Sequence, residues 1–170
     1  MLKWRAWSPK ALFKELLSWV VVIAILSNVM SYLRKPTLQS DQLPPIVVTL
    51  IDGTPFESQQ LEGRPLVLHF WGSWCPTCRM EAGVIESISH DYPLLSIAVN
   101  SGSDSEIATY MQKHELSFKV LNDREGSWAK RFDVQAFPTT FVYDGRGKLR
   151  FSEVGYTTTA GLLARLKLIE

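Results

Sequence analysis

Cysteine and histidine are scarce in this chain of 170 residues, which holds two of the first and three of the second. Two cysteines exclude a disulfide-stapled framework and cannot by themselves close a four-cysteine zinc site. No methionine-rich or histidine-rich tract, internal repeat or low-complexity run is present. Neither sign of charge dominates. The formal net charge is +1, which offers no general reason to expect a nucleic-acid partner. What is present is globular: 46% of residues are apolar and 21% charged, which excludes disorder over the whole chain. The length suits one domain plus one appended element.

Charge is unevenly placed. Residues 1–35 carry Lys3, Arg5, Lys10, Lys14, Arg34 and Lys35 against Glu15 alone, net +5, and the remainder holds 12 basic and 16 acidic residues. Within this basic leader the stretch 16–33 (LLSWVVVIAILSNVMSYL) has no charge. As a helix, its 18 residues span roughly 27 Å, close to the roughly 30 Å hydrocarbon core of a bilayer. Trp19 and Tyr32 sit near its ends, where aromatic residues favour the interface. Four basic residues precede it and two follow, so the positive-inside tendency places residues 1–15 in the cytoplasm and the body outside. A cleaved signal peptide fits less well, because the apolar region is long and no A-x-A site follows it. A buried core helix fits least, because VVVIAIL shows no amphipathic pattern. Residues 34–45 (RKPTLQSDQLPP) read as a linker, and 46–170 as the folded domain.

The body alternates strand and helix signals. Ile46–Ile51, the Asp52-Gly53 turn and Thr54–Phe56 suggest two short strands. Leu66–Trp71 and Leu94–Val99 are apolar runs of buried-strand length. Cys75–Ser89 carries a helical stripe through Met80, Val84, Ile85 and Ile88. A helix opened by Ser103/Asp104 and Glu106 runs to His114, with Ile107, Tyr110 and Met111 on one face. A brief strand at Phe118–Leu121 and a short helix at Ser127–Phe132 follow. Thr139–Tyr143 and Lys148–Val154 form a hairpin, and Leu162–Leu168 is a closing helix. The expected fold class is α/β, a mixed central sheet with helices on both faces.

The two cysteines stand three apart in Trp74-Cys75-Pro76-Thr77-Cys78, after a predicted strand and at the start of a helix. A helix N-terminus offers unpaired N–H groups and a positive dipole end, which stabilise a thiolate, the nucleophile of thiol–disulfide exchange. Pro76 needs no N–H donor and suits the first helical turn. Cys75 is expected as the exposed attacking thiol and Cys78, one turn in, as the resolving one. A permanent disulfide here would close too small a ring to constrain the unfolded chain much. A metal site would need further ligands, and His69, His90 and His114 show no ligand spacing to the pair. The redox pair is the favoured reading, with the other two still open. Trp74 is expected to shield Cys75 and extend a docking surface, Trp71 and Trp128 to lie in the core, and Arg79 to be solvated.

HFWGSWCPTCRMEA, followed about 60 residues later by AFPTTFVYDGRGK, resembles the thioredoxin fold. More narrowly it resembles the membrane-anchored bacterial thiol–disulfide oxidoreductases of the TlpA and cytochrome c maturation type, including members named for suppressing copper sensitivity. The resemblance covers about residues 40–168. It implies a redox-active Cys75–Cys78 pair with no bound cofactor and no metal. It implies a substrate surface from Trp74, Pro76, Thr77, Phe137 and Pro138, with Pro138 at the position of the family's cis-proline. It also implies that Glu81 relays a proton near the buried thiol, against the alternative of a solvated first-turn carboxylate. Where many relatives have a buried acid or Asn, this chain has His69, either a core histidine or a relay. Gly83 replaces a helix-kinking proline. The activity implied is reduction of disulfides in periplasmic proteins, recharged by a thiol-reducing donor in the membrane and linked to copper tolerance or cytochrome c maturation. A disulfide-donating oxidase or isomerase is the alternative, and a Cu(I)-binding protein a more distant one.

Overall fold

A computed structural model describes residues 13–23, 36, 40–61 and 63–170. The chain divides into two units, 1–34 and 35–170. In the first, residues 13–23 are helical, with Phe13, Leu16, Trp19 and Ile23 exposed. The expected span 16–33 lies beyond the described residues from position 24 on. Among the described residues no helix is long and apolar enough to cross a membrane.

The second unit is built on a five-stranded sheet. Its strands are β3 (Leu66–Trp71), β4 (Leu94–Val99), β5 (Val120–Asp123), β6 (Thr139–Tyr143) and β7 (Leu149–Val154), in the spatial order β5-β4-β3-β6-β7. The helices are α1 (Pro76–Asp91), α2 (Asp104–Lys113), α3 (Ser127–Arg131) and α4 (Thr159–Lys167). β3, β4 and β5 are parallel because helical crossovers join them, whereas the hairpin puts β6 and β7 antiparallel. β1 (Val47–Thr49) and β2 (Pro55–Glu57) form their own antiparallel pair rather than joining this sheet. The element order agrees with that read from the sequence.

β3 and β4 are buried along their whole length, which explains their uninterrupted apolar runs. Alternate residues face opposite cores. Leu68, Phe70, Ile97 and Phe141 pack with Ile46, Phe56 and Phe132 on one side. Val67, Trp71, Ala98 and Val142 pack on the other with Ile85 and Ile88 of α1, Ile107 and Met111 of α2, and Leu162 and Leu166 of α4. Three helices therefore cover one face; α3 and the β1–β2 pair lie with the other.

Several boundaries differ from the sequence reading. β5 begins at Val120, not Phe118, and α4 starts at Thr159, where the Thr158 side chain caps it. Ser103 and Glu106 form a reciprocal capping box at α2, as their spacing indicates. Within the segment read as a linker, the Leu43 N–H bonds the Gly147 carbonyl and the Leu149 N–H bonds the Asp41 carbonyl, so these residues run beside the β6–β7 hairpin.

α1 is tied to the segment before β5 by Glu86. Its carboxylate accepts hydrogen bonds from the Ser117 N–H (2.8 Å), the Ser117 hydroxyl and the Phe118 N–H (3.3 Å), and faces His90 at 3.5 Å. Partial burial pushes the Glu86 carboxyl up, but these donors outweigh it and hold it below its ordinary value. A depressed carboxylate contributes stability above its unfolded value and loses it as pH falls. Glu86→Ala should cost about 2 kcal/mol at pH 7, with the deficit shrinking below about pH 4. Urea unfolding at the two pH values checks this, and an undiminished deficit at low pH would refute it.

Candidate functional site: the cysteine pair at the β3–α1 junction

The site lies beyond the carboxyl ends of the parallel strands, where ligand sites of open α/β sheets gather. β3 ends at Trp71, the Cys75 N–H closes a turn onto the Gly72 carbonyl at 3.0 Å, and α1 begins at Pro76. Cys75 is the N-cap residue of α1, and its sulfur accepts the Cys78 N–H at 3.2 Å. The pair is disulfide-bonded, with Cα atoms 5.3 Å apart.

The expectation of an exposed Cys75 is corrected here: Cys75 is 5% exposed and Cys78 2%. Both belong to the core cluster that includes Trp71 and Ile85. The two sulfurs differ in direction more than in depth. Cys75 Sγ lies 3.7 Å from the Phe137 carbonyl oxygen, at the bend that leads into β6. The Phe137–Pro138 peptide bond is cis. Pro138 is buried, Phe137 half-buried, Pro76 exposed and Thr77 half-buried.

Trp74 is 52% exposed. Its indole N–H donates to the Val99 carbonyl at 3.1 Å, and its ring meets the Phe137 ring edge-on at 5.5 Å between centroids. The indole also covers Gly72, where a Cβ would stand 2.6 Å from Trp74 Cε2. Trp74 therefore forms part of the rim beside Phe137. Trp71 is buried against Tyr110 and Phe118, and Trp128 is partly buried against Phe132, with Arg131 over its ring. Arg79 is exposed.

On α1 the buried face runs through Cys78, Glu81, Val84, Ile85 and Ile88. The sequence stripe placed Met80 there. Met80 is instead 69% exposed, and Glu81, one turn from Cys78 on the same face, is fully buried. One Glu81 oxygen accepts the Thr157 N–H at 2.8 Å, and the other, Oε2, has no hydrogen-bond partner. Burial raises the Glu81 carboxyl to about 7, against the opposing effect of the Thr157 N–H. A carboxyl of this kind exchanges a proton near neutral pH. Gly83 interrupts nothing, since α1 is continuous from Pro76 to Asp91.

His69 is buried in β3 with Nδ1 2.9 Å from Thr140 Oγ1. Burial depresses it to about 3, so the ring is uncharged at any working pH.

Residues that the sequence did not single out complete the surroundings. The Gly155 N–H bonds the Pro138 carbonyl at 2.8 Å, so the β7–α4 loop joins the Pro138 segment to Glu81 through Gly155 and Thr157, with Tyr156 exposed between them. The Ser73 N–H bonds the Ser101 hydroxyl at 3.0 Å, across from β4. Backbone donors and a lone serine leave no local pattern that would flag them.

A thiol pair at a helix N-terminus beside a proton-exchanging carboxyl can pass two electrons and two protons to a disulfide. Residues 40–152 match the AhpC/TSA family. The chain belongs to that family. A thioredoxin-like protein of Haemophilus influenzae is 29% identical over 95% of this chain and 96% of its own length. The thiol–disulfide oxidoreductase ResA of Bacillus thuringiensis subsp. konkukian is 27% identical, over 75% of this chain and 76% of its own. Among solved structures, a secreted Mycobacterium tuberculosis disulfide oxidoreductase, described as homologous to E. coli DsbE, superposes with a TM-score of 0.62. It is 27% identical, over 72% of this chain and 95% of that one. This AhpC/TSA member has the thioredoxin fold and is a thiol–disulfide oxidoreductase, with Cys75–Cys78 fitting its redox-active disulfide.

Proposed function

We propose that the chain is a reductase of protein disulfides that works outside the cytoplasm, anchored in the inner membrane of a bacterium by residues 16–33. The observation that carries the direction is Glu81, buried one helical turn from Cys78 with one oxygen unpartnered. When ionised, this carboxylate opposes a thiolate on Cys78, destabilises the reduced pair and so makes it a better electron donor.

In this reading the Cys75 thiolate attacks a substrate disulfide, forming one mixed S–S bond and releasing the first substrate thiolate. Cys78 passes its proton to Glu81 and attacks the Cys75 sulfur. The second substrate sulfur leaves with the proton that Glu81 gives back, the first takes its proton from water, and Cys75–Cys78 is oxidised as the substrate gains two electrons and two protons. The substrate strand lies along Phe137 and Pro138, whose backbone faces Cys75, with Trp74, Pro76 and Thr77 on the rim. The pair is the whole redox centre, with no bound cofactor. Each turnover leaves it oxidised, so a dithiol donor must restore it, and a membrane thiol reductase fits a protein on the outer side. The basic leader and the exposed apolar residues of 13–23 support the anchor. The M. tuberculosis relative is described as secreted, which supports the compartment. Copper tolerance and cytochrome c maturation are the two settings the family resemblance supplies, and both need oxidised thiols repaired.

The reverse activity, disulfide donation, is favoured by one observation: the helix N-terminus and the Cys78 N–H stabilise a Cys75 thiolate. The equilibrium potential of the pair decides between them. Full-length protein in detergent, titrated against dithiothreitol or glutathione at pH 7, should give a value near about −270 mV, as in thioredoxin. A value near about −120 mV would make the pair a strong oxidant and reverse the proposed direction.

A further inference from the structure

The turn that delivers Cys75 hangs on two bonds to the segment that ends β4, and a third bond braces that segment. The Ser73 N–H donates to Ser101 Oγ at 3.0 Å, the Ser101 hydroxyl donates to the Val99 carbonyl at 3.1 Å, and the Trp74 indole N–H donates to that same carbonyl at 3.1 Å. Both residues immediately before Cys75 are thus held by one small shelf, Val99–Ser101. Ser101 is 7% exposed, so water does not readily replace its hydroxyl.

The shelf is itself tightly placed. Asn100, between its two working residues, sits in the left-handed region at φ 47°, a conformation Asn tolerates better than most residues but still at a cost. Its N–H bonds the Asp123 carbonyl of β5 at 3.1 Å. The buried Asp123 carboxylate accepts the Ser127 hydroxyl and the Trp128 and Ala129 N–H groups at the start of α3. After the shelf, Ser103 and Glu106 lock the start of α2. A backbone conformation with a conformational cost, fixed on both sides and directed at the turn before the reactive sulfur, is strain of the kind found where geometry serves chemistry.

We propose that Ser101 is a positioning residue for the redox pair. Its hydroxyl holds the Ser73 amide and the Val99 carbonyl in register, and so seats the Cys75 sulfur at the N-terminus of α1. The bonds form a short chain in a dry setting, where each strengthens the next and loss of the middle one releases both ends. Without it the Gly72–Cys75 turn drifts, and Cys75 Sγ loses its alignment with the Cys78 N–H, which the structure places 3.2 Å away. The thiolate is then less stabilised and less populated near neutral pH. The inference rests on Cys75 being the attacking thiol.

The test uses full-length protein in detergent, reduced, with iodoacetamide alkylation followed from pH 4 to 9. Mass spectrometry identifies which cysteine is labelled, and equilibration with glutathione is measured in parallel. Ser101→Ala should slow Cys75 labelling at pH 6 by about tenfold, through an upward shift of its titration of about one unit, and should displace the glutathione equilibrium. Ser101→Thr, which keeps the hydroxyl, should restore both. Trp74→Phe removes the second donor to Val99, together with part of the ring over Gly72, while leaving the Ser73–Ser101 bond, and should shift the titration the same way by less, which keeps the proposal testable if Ser101→Ala does not fold. Profiles of Ser101→Ala that coincide with wild type, even with a lowered melting temperature, would overturn the proposal and leave Ser101 a purely structural residue. Preferential labelling of Cys78 in the wild type would instead overturn the role assignment on which the inference rests.

Discussion

Cys78→Ser is expected to leave Cys75 joined to its substrates in mixed disulfides that survive on non-reducing gels, while Cys75→Ser lowers disulfide reduction by at least about a thousandfold. Depth does not separate the two sulfurs, since both are nearly covered. Placement does. Cys75 caps α1, accepts the Cys78 N–H and faces the Phe137 carbonyl, along which an extended substrate segment can pair. Cys78 lies within the helix on its core-facing side, one turn before Glu81, where it meets the Cys75 sulfur and little else from outside. With serine at position 78 the first exchange proceeds and the second has no nucleophile, so the intermediate accumulates. Gel electrophoresis and mass spectrometry of protein extracted after thiol blocking check this. Trapped species with Cys75→Ser and none with Cys78→Ser would reverse the two roles.

Glu81→Gln should change both how stability depends on pH and how fast the pair turns over. In the unfolded chain the carboxyl titrates near 4.5, and in the folded protein near 7. Below the lower value it is protonated in both states and carries no penalty. Between the two values folding takes up a proton, so stability falls as pH rises. Above the upper value both states are ionised and the full penalty, of order 3 kcal/mol, remains. This is the reverse of Glu86, whose depressed carboxyl loses stability toward acid. Glutamine keeps an oxygen for the Thr157 N–H but never ionises. Wild type should therefore lose about 3 kcal/mol relative to Glu81→Gln between pH 4.5 and pH 8 in urea titrations. Parallel stability curves across that range would show that Glu81 does not titrate as its burial dictates. Turnover by the variant should fall about a hundredfold, the lower end of what a positioned proton carrier contributes, and lose the limb of its pH profile near 7.

Much of this protein is legible along the chain. The Cys75–Cys78 spacing after an apolar strand, Pro76 in the first helical turn and the Ser103–Glu106 cap are local patterns, and local backbone preferences realise them directly. The alternation of buried strands with helices is that of parallel β3, β4 and β5, because a helical crossover returns the chain to the same end of the sheet, whereas the antiparallel entry of β6 after α3 is not legible in that alternation.

Tertiary structure decided the rest. Apolar periodicity marks a helix but does not settle its rotation against the sheet when an acidic residue lies next to an apolar one. The rotation of α1 that buries Cys78 and Ile85 carries Glu81 inward and turns Met80 out. Once inside, Glu81 takes its properties from a backbone amide 76 residues away, at Thr157. Ser101 reaches Ser73 across 28 residues in the same manner. Cys75 is covered because the Phe137–Pro138 segment and the core around Trp71 close over a turn that is open when considered alone. Local sequence alone places the Cys75–Cys78 pair at a helix start, since that depends on neighbours within a few positions. Only packing determined the depth of the pair, the proton affinity of Glu81 and the bonds that hold the turn, since each depends on desolvation and on polar groups brought together from distant parts of the chain.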